Sequence, residues 1–443
     1  MTQFHHTQRL MRSMRRAALQ RGVVAILDVG TSKIACLVLR FDGERAGAED
    51  GVGPMAGHAA FKVIGAATTR SRGVRFGEVD ATGEAERAIR TALTQAQKMA
   101  GVRVDHVIAC LAGARPQSFG LSGEAEVEGH AVTSGDIGRV LHGCEMPELG
   151  PGRDVLHAQP VHFALDHRSG LSDPRGQVGT RLATDLHLLS VDAAALDTLL
   201  HCLKRCDLEC AGLASSAYVA GIAALVEDEQ ELGAACLDMG GGATGLSVFI
   251  RKHMIFADSV RMGGEHVTAD ISMGLQVPMA VAERLKTLYG GCVATGADDR
   301  EIIEIGGDSG DWERDRRTVS RAELIAIMRP RVEEILEEAR ARLDAAGFDQ
   351  LPSQSIVLTG GGSLIPGLDG LASRVLGQKV RLGRPLRVQG LPGPATGAAF
   401  SAAVGLTLFA ANPQDEWWDF EAPPARGSAR SLKRAVTWFR ENW

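Results

Sequence analysis

One theme appears twice in this chain. From Ala25 to Arg40, AILDVGTSKIACLVLR runs an apolar strand into a polar, glycine-bearing bend and out again. From Cys236 to Ile250, CLDMGGGATGLSVFI repeats it: apolar strand, aspartate, glycine bend, apolar strand. Each segment reads as a β-hairpin. At 443 residues the chain is too long for a single compact core, so the echo predicts two units of related β-sheet-plus-helix fold.

The bends carry the chemistry. Asp28, Gly30, Thr31, Ser32 and Lys33 lie on the first, and Asp238, Gly240, Gly241, Gly242, Ala243 and Thr244 on the second. Glycine lets backbone N–H groups come close to phosphate oxygens, while hydroxyls and Lys33 add donors. Each aspartate offers a hard oxygen to Mg²⁺, through water. One such bend is as consistent with a structural turn; two in this order can clamp a triphosphate from both sides. A third run, Gly360, Gly361 and Gly362 followed by Ser363, sits in SIVLTGGGSLIPGL where a strand gives way to a helix. Its backbone suits an adenine face or an α-phosphate.

Bulk properties narrow the class. Hydrophobic residues at 45% and charged residues at 23% exclude a chain disordered throughout, and a net charge of -6 leaves no general attraction for nucleic acid. The 8 cysteines follow no framework spacing and Met1 to Gly22 lacks the apolar run of a signal peptide, so reduced thiols in a cytoplasm are expected. No apolar stretch predicts a transmembrane helix. Cys202, Cys206 and Cys210, with His201 beside them, read as core packing rather than a metal site. His157, His162 and His167 alternate along an expected strand pair, VLHAQPVHFALD, and are not expected to converge on one ion. Residues 1–21 hold five arginines and no acid and read as a disordered arm, with a second membrane contact as the alternative. Prolines and acids mark 412–430 as a linker, which Trp417, Trp418 and Phe420 pack onto the body unless they meet a partner.

At the chain's end, SLKRAVTWFRENW places Leu432, Val436, Phe439 and Trp443 within one narrow arc at helical period. Lys433 and Arg440 flank the arc, where they reach anionic headgroups, so 431–443 is predicted to be an amphipathic helix lying in a membrane interface. Docking back on the body is the alternative. Burying one large apolar side chain contributes roughly 1.5–3 kcal/mol, and ordering a free tail opposes it. One helix should therefore bind weakly, and polymerisation should strengthen attachment by ~10²-fold or more through avidity.

AILDVGTSKI, CLDMGGGATGLSVF and IVLTGGGSLIPGL resemble the phosphate 1, phosphate 2 and adenosine motifs of the actin, sugar-kinase and heat-shock chaperone superfamily. Within it the chain is similar to the FtsA family of bacterial cell-division proteins from about Val23 to Ala410 and again in the tail. VLHAQPVHFALD with GLSDPRG behind it, GLASSAYVAG and RMGGEHVTADISMGL carry that likeness. The resemblance implies an α/β, actin-like (ribonuclease H-like) two-domain fold around a nucleotide cleft, with an FtsA-type 1C insert replacing the actin 1B subdomain. The implied division is 1A over 22–83, 166–205 and 385–411, 1C over 84–165, 2A over 206–261 and 332–384, and 2B over 262–331. Gly263 and Gly264 would stand at the mouth of the cleft, and Glu283 and Lys286, on one helix face, would meet ribose and adenine. One departure matters: the family's phosphate 2 motif usually continues with a hydroxyl and an acid, where this chain has Ala243 and Gly245. ATP binding with Mg should survive that change, while hydrolysis is expected to be slow or absent.

By the same resemblance the chain would polymerise with itself, hold the acidic and apolar C-terminal tail of the tubulin-like FtsZ on subdomain 2B, and recruit other divisome proteins. The expected place is the cytoplasmic face of the inner membrane at the division site, with 431–443 on anionic lipid. Arg321, Arg329 and Arg331 are the expected charge partners for the FtsZ tail, unless they line an ordinary exposed helix face. Two other readings of the cleft compete. A phosphotransferase such as a sugar kinase needs a catalytic acid and a substrate pocket, neither evident here, and a PilM-like pilus-assembly protein leaves the amphipathic end unexplained.

Overall fold

The computed structural model describes residues 3–41, 61–305 and 317–420. The expected interfacial helix at 431–443, with Leu432, Lys433, Val436, Phe439, Arg440 and Trp443, lies outside the described residues.

The two hairpins seed two five-stranded sheets. In the first, Val23–Val29 pairs antiparallel with Lys33–Phe41, and that strand with Phe61–Arg70; His106–Leu111 and Glu209–Ser215 extend the other side in parallel. In the second, Ala234–Met239 pairs antiparallel with Thr244–Ile250, and that strand with His253–Val260; Ser355–Thr359 and Val380–Leu382 extend it in parallel. Strand order and strand sense are the same in both. Both central strands are almost continuously buried, as strands covered on two faces must be. Asp28 and Asp238 each fall one residue before the end of such a strand, where a carboxylate is otherwise rare.

Two helices join the halves. Ser216–Ala224 lies on the second sheet, Ser401–Ala411 on the first, and the two pack on one another. Neither has a polar side, which fits burial on nearly every face. The approach is so close that a Cβ on Gly405 would collide with the backbone of Val219.

A four-stranded antiparallel sheet forms the insert, in the order Gln117–Glu126, Arg181–Asp192, Arg153–Leu165, Arg168–Leu171. The helix Ser134–His142 crosses it, capped reciprocally by Thr133 and Asp136: Thr133 N donates to Asp136 Oδ2 (2.8 Å) and Asp136 N to Thr133 Oγ1 (3.3 Å). Two expectations are corrected here. The insert sheet lies within 117–192 rather than 84–165, because Thr82–Ala100 packs on the first sheet and His106–Leu111 is one of its strands. VLHAQPVHFALD belongs to one strand, not a pair. Pro160 faces Leu186 beside a register shift, where a residue without an N–H is tolerated.

The N-terminal segment is a third correction. Gln3–Gln20 is a helix laid mainly against Glu209–Ser215, burying Gln8, Met11, Arg15 and Ala18. Counting arginines obscured the stripe Met11, Met14, Arg15 and Ala18 at helical spacing. Arg15 is tolerated there because its Nη2 donates to Phe409 O (3.2 Å) and its guanidinium lies 4.8 Å from the Phe409 ring. Burial lowers its pKa to about 9. The start of the expected linker is docked as well. Trp417, Trp418 and Phe420 join the core of the insert, Trp417 Nε1 donates to Leu141 O (3.0 Å), and buried Glu416 accepts from Ala158 N (2.6 Å) and meets His157 Nδ1 (2.8 Å). His162 faces Asp185 (3.2 Å) and His167 is exposed, while Cys202 and Cys206 are buried and Cys210 half-buried.

Gly405→Ala is expected to destabilise the protein by about 1–3 kcal/mol, since the added methyl must push two helices apart. Gly83→Ala, at a helical site with open space around it, should instead add about 0.5 kcal/mol. Urea midpoints of the two variants measure the contrast, and a Gly405→Ala protein as stable as the parent would contradict the packing.

Candidate functional site

One backbone bend builds both loops. Gly30 N donates to Lys33 O (3.1 Å), and Gly240 N to Ala243 O (2.9 Å). A Cβ on Gly30 or Gly240 would stand 2.9 or 2.8 Å from those same carbonyls, too close for a side chain, so each bend requires glycine where it begins. The correspondence sets Lys33 against Ala243, leaving the ammonium on one side only.

The loops face and touch. A Cβ on Gly242 would fall 2.6 Å from Thr31 Oγ1, and one on Gly241 would fall 3.2 Å from Ser32 Cβ. The third glycine run closes in behind. Gly360 has a φ of +83° and a Cβ there would strike Asp238 Oδ1; its N–H donates to Ala398 O (3.2 Å). Ala399 lies against Gly361, and its carbonyl accepts a hydrogen bond from Lys33 Nζ. Asp28, Lys33, Asp238, Gly360 and Gly361 thus share one neighbourhood at the carboxyl ends of the central strands, where open α/β sheets hold ligands.

That neighbourhood is short of water and long on negative charge. Asp28 is 8% exposed and accepts from Cys110 Sγ (3.2 Å); burial raises its pKa, against the pull of Lys33. Asp238 is pushed up to about 7, first by burial and then by the charge of Asp28, with Lys33 opposing. Two crowded carboxylates offset by a single ammonium are a donor set that fits a hard divalent cation held through water.

A helix supplies the outer wall. Gly264 N donates to Gly240 O (2.9 Å) and Glu265 N to Gly241 O (2.8 Å), which seats the helix Gly264–Leu275 with its N-terminus on the second loop. A Cβ on Gly263 would meet Gly240 O at 2.5 Å and Gly241 O at 2.6 Å. On the next helix, Met279–Tyr289, Lys286 Nζ donates to Gly264 O (3.0 Å), Thr268 Oγ1 (2.8 Å) and Glu283 Oε2 (2.6 Å). Glu283 and Lys286 therefore stand beside Gly264.

Some expected donors are otherwise engaged. Thr244 is buried with its hydroxyl on Met262 O (2.9 Å), and Ser363 is buried with its hydroxyl on Gly360 O (2.8 Å), so both brace the loops; Ser32 is exposed. Arg321, Arg329 and Arg331 lie apart from the loops on the helix Arg321–Ala345. Each already has acids of its own chain: Asp298 for Arg321, Glu333 (2.7 Å) for Arg329, and Asp270 (2.7 Å) with Glu334 for Arg331.

Three residues went unnoticed in the sequence. The short hairpin of Val74–Arg75 and Glu78–Val79 reaches over both loops: Gly77 N donates to Thr31 Oγ1 (2.9 Å), Phe76 at φ +53° stacks on His266 (5.7 Å), and Glu78 pairs with Arg261 (2.6 Å) of the other half. No local pattern marks Phe76 or Glu78. Glu265, half-buried with its pKa raised by burial, stands against Gly241. Its place directly after a glycine pair at a helix start was a readable signal.

The twin sheets, the sandwiched helices and the facing loops define an actin-like protein. Among solved structures the chain is similar to the PilM-PilN type IV pilus biogenesis complex, with TM-score 0.58 and 15% identity over 88% of this chain and 99% of that one. It is also similar to MreB 5 of Spiroplasma citri bound to AMPPNP, with TM-score 0.50 and 14% identity over 87% of this chain and 95% of that one. Identities so low speak to fold alone. In sequence, residues 235–405 match the family profile Cell division protein FtsA, and 113–190 match the SHS2 domain inserted in FTSA, which is the four-stranded insert. Cell division protein FtsA of Rhizobium meliloti is 39% identical over 388 residues, 87% of either chain, and that of Agrobacterium fabrum 36% over 429 residues, 95% of either chain. The chain belongs to the FtsA family of cell-division proteins.

Because the folded pKa of Asp238 lies above its ordinary 3.8, its charge opposes folding, and stability falls as pH rises through the interval up to about 7. With divalent cations chelated at pH 8, Asp238→Asn should stabilise the protein by about 1–2 kcal/mol, allowing for partial solvent access. The gain should be smaller at pH 5, where the folded wild type already holds that proton, and should vanish only below the ordinary 3.8, where the unfolded chain holds it too. Thermal unfolding at both pH values decides it; equal stability of the two proteins at pH 8 would contradict the crowding.

Proposed function

We propose that this protein binds ATP with Mg²⁺ between its two glycine hairpins, assembles into filaments, and ties FtsZ to the cytoplasmic face of the cell membrane through segment 431–443. The observation that carries the nucleotide half is the meeting of two loops of one design over Asp28 and Asp238, whose charges burial disfavours. Loop N–H groups and Lys33 would hold phosphate oxygens, Asp28 and Asp238 the cation through water, and Glu283 with Lys286 the ribose and base edge. Gly360, Gly361 and Gly362 would lie along the base or the α-phosphate. The bound cation would neutralise charge that Lys33 alone does not offset. Hydrolysis is expected to be slow, because Thr244 is turned to Met262 and Ala243 brings no ligand. Glu265 is the carboxylate to test for any residual activity.

Family membership supports the adaptor half, together with the apolar arc of the tail. No helix of the described residues is long and apolar enough to cross a membrane, so attachment would run along the surface. Exposed Met273, Met279 and Leu288 offer apolar contacts for a peptide on the second half, where Arg321, Arg329 and Arg331 would have to exchange their present acids for those of the FtsZ tail. Avidity within a filament would turn one weak helix into firm attachment.

Co-sedimentation with anionic liposomes, with and without ATP and FtsZ, tests both halves. Deleting Ser431 to Trp443 should cut the membrane-bound fraction at least tenfold and leave ATP-induced thermal stabilisation intact. Gly241→Val, which crowds Ser32 and Glu265, should remove that stabilisation, about 2.7 kcal/mol at a hundredfold excess of ligand over Kd, and leave lipid binding of the monomer intact. A deleted chain that still pellets with vesicles refutes the anchor, and an unaltered ATP response in Gly241→Val refutes the cleft.

A further inference from the structure

The N-terminal helix was expected to be loose, and its outward face has no assigned role. Arg9, Leu10, Ser13, Arg16, Ala17 and Gln20 are exposed, and the segment contains no acid. Its arginines are not equivalent. Arg15 is buried, and Arg12 is neutralised by Asp415 (3.0 Å) and Asp419. Among the described residues Arg9 donates to carbonyls, through Nε to Trp418 O (3.0 Å) and Nη2 to Phe420 O (3.2 Å), and has no carboxylate partner. Arg16 has no ion-pair partner among the described residues. Seven residues separate the two, which is two turns and ~10 Å along one face, and an open groove between the helix and Trp418 runs past both.

Phe420, held by Arg9, is where the described chain ends, and the apolar arc of the tail begins at Leu432. The eleven residues between them can span at most ~35 Å. A membrane that takes up the tail is therefore brought close to this face. Arg426 and Arg430 lie within that stretch.

We infer that the Arg9–Arg16 face of the N-terminal helix is a second docking surface for an anionic lipid bilayer, set beside the point from which the tail departs. The inference rests on the membrane reading above for the tail. Two points of contact fix which side of the protein faces lipid, whereas a single one leaves the body free to turn. Exposed Leu10, 54% accessible, gives the face one apolar residue to dip among headgroups. Each basic residue near an anionic surface strengthens binding by about fivefold, so the pair is worth roughly tenfold or more.

The test uses the full chain and vesicles of phosphatidylglycerol with phosphatidylcholine, or of phosphatidylcholine alone. Arg16→Glu, at a residue with no ion pair to lose among the described residues, and the double variant Arg9→Gln/Arg16→Gln should each weaken binding to the anionic vesicles roughly tenfold. Arg16→Lys should bind as the parent does, the unfolding temperature of Arg16→Glu should be unchanged, and 1 M salt should erase the differences. Binding of Arg16→Glu at parental strength overturns the inference, as does equal weakening on neutral vesicles. Deletion of Ser431 to Trp443 tests the tail separately. If the deleted chain binds as well as the full one, the tail anchor fails, while loss of the remaining binding on adding Arg16→Glu upholds the arginine face.

Discussion

The close approach of backbone to backbone at the glycine loops is the constraint on which the rest of the molecule depends. Carbonyls of Gly240 and Gly241 receive the N–H groups of Gly264 and Glu265, and a Cβ on Gly263 has no room against them. Thr31 and Ser32 press on Gly242 and Gly241 from the opposite half. Such distances survive only if the sheets behind them are held rigidly. Duplicated strand order, two almost fully buried helices and a side-chain-free contact at Gly405 provide that rigidity, because a packed interior resists sliding.

Charge within the same space works against folding and toward binding. Asp28 and Asp238 cost the fold stability: burial disfavours both charges and Asp28 further disfavours that of Asp238, with Lys33 as the compensation. Crowded, desolvated charge of this kind trades stability for function. Glu78 and Arg261 bridge the halves directly above the loops. A change in how far the loops stand apart would strain that ion pair first.

The insert is not a passenger. Ser118 both donates to Ala257 O (3.0 Å) and accepts from Ala257 N (2.8 Å), tying the insert sheet to an edge strand of the second half. On its other side the insert receives Trp417, Trp418 and Phe420, while Glu416 is satisfied by His157, Ala158 and Gln159. Arg9 and Arg12 of the N-terminal helix grip the same stretch. Both ends of the described chain and the insert therefore meet, so the departure point of the tail is defined relative to the cleft. A buried Glu with three partners keeps that junction from drifting, since losing any one of them would leave a charge unsatisfied.

Local signals made much of this legible in advance. Continuous apolar runs on either side of Gly30 and Gly240 located both hairpins, and turn chemistry with the aspartate beside it located the site, because both depend on residues close in sequence. Motif spelling was enough to reach the family. Pairing across distance was not. Nothing near Thr244 tells that its hydroxyl belongs to Met262, and nothing near Glu78 names Arg261. Whether helix 82–100 covers the first sheet or an insert depends on strands far along the chain. The N-terminal helix shows the same division: its arginines read as a solvated arm until Phe409 and Glu209–Ser215 offered a surface for the opposite face. The sequence by itself determined the two loops, the aspartates behind them and the kinship; the tertiary structure alone decided which donors stay free and which segments dock, because those outcomes rest on contacts between residues that no short-range pattern connects.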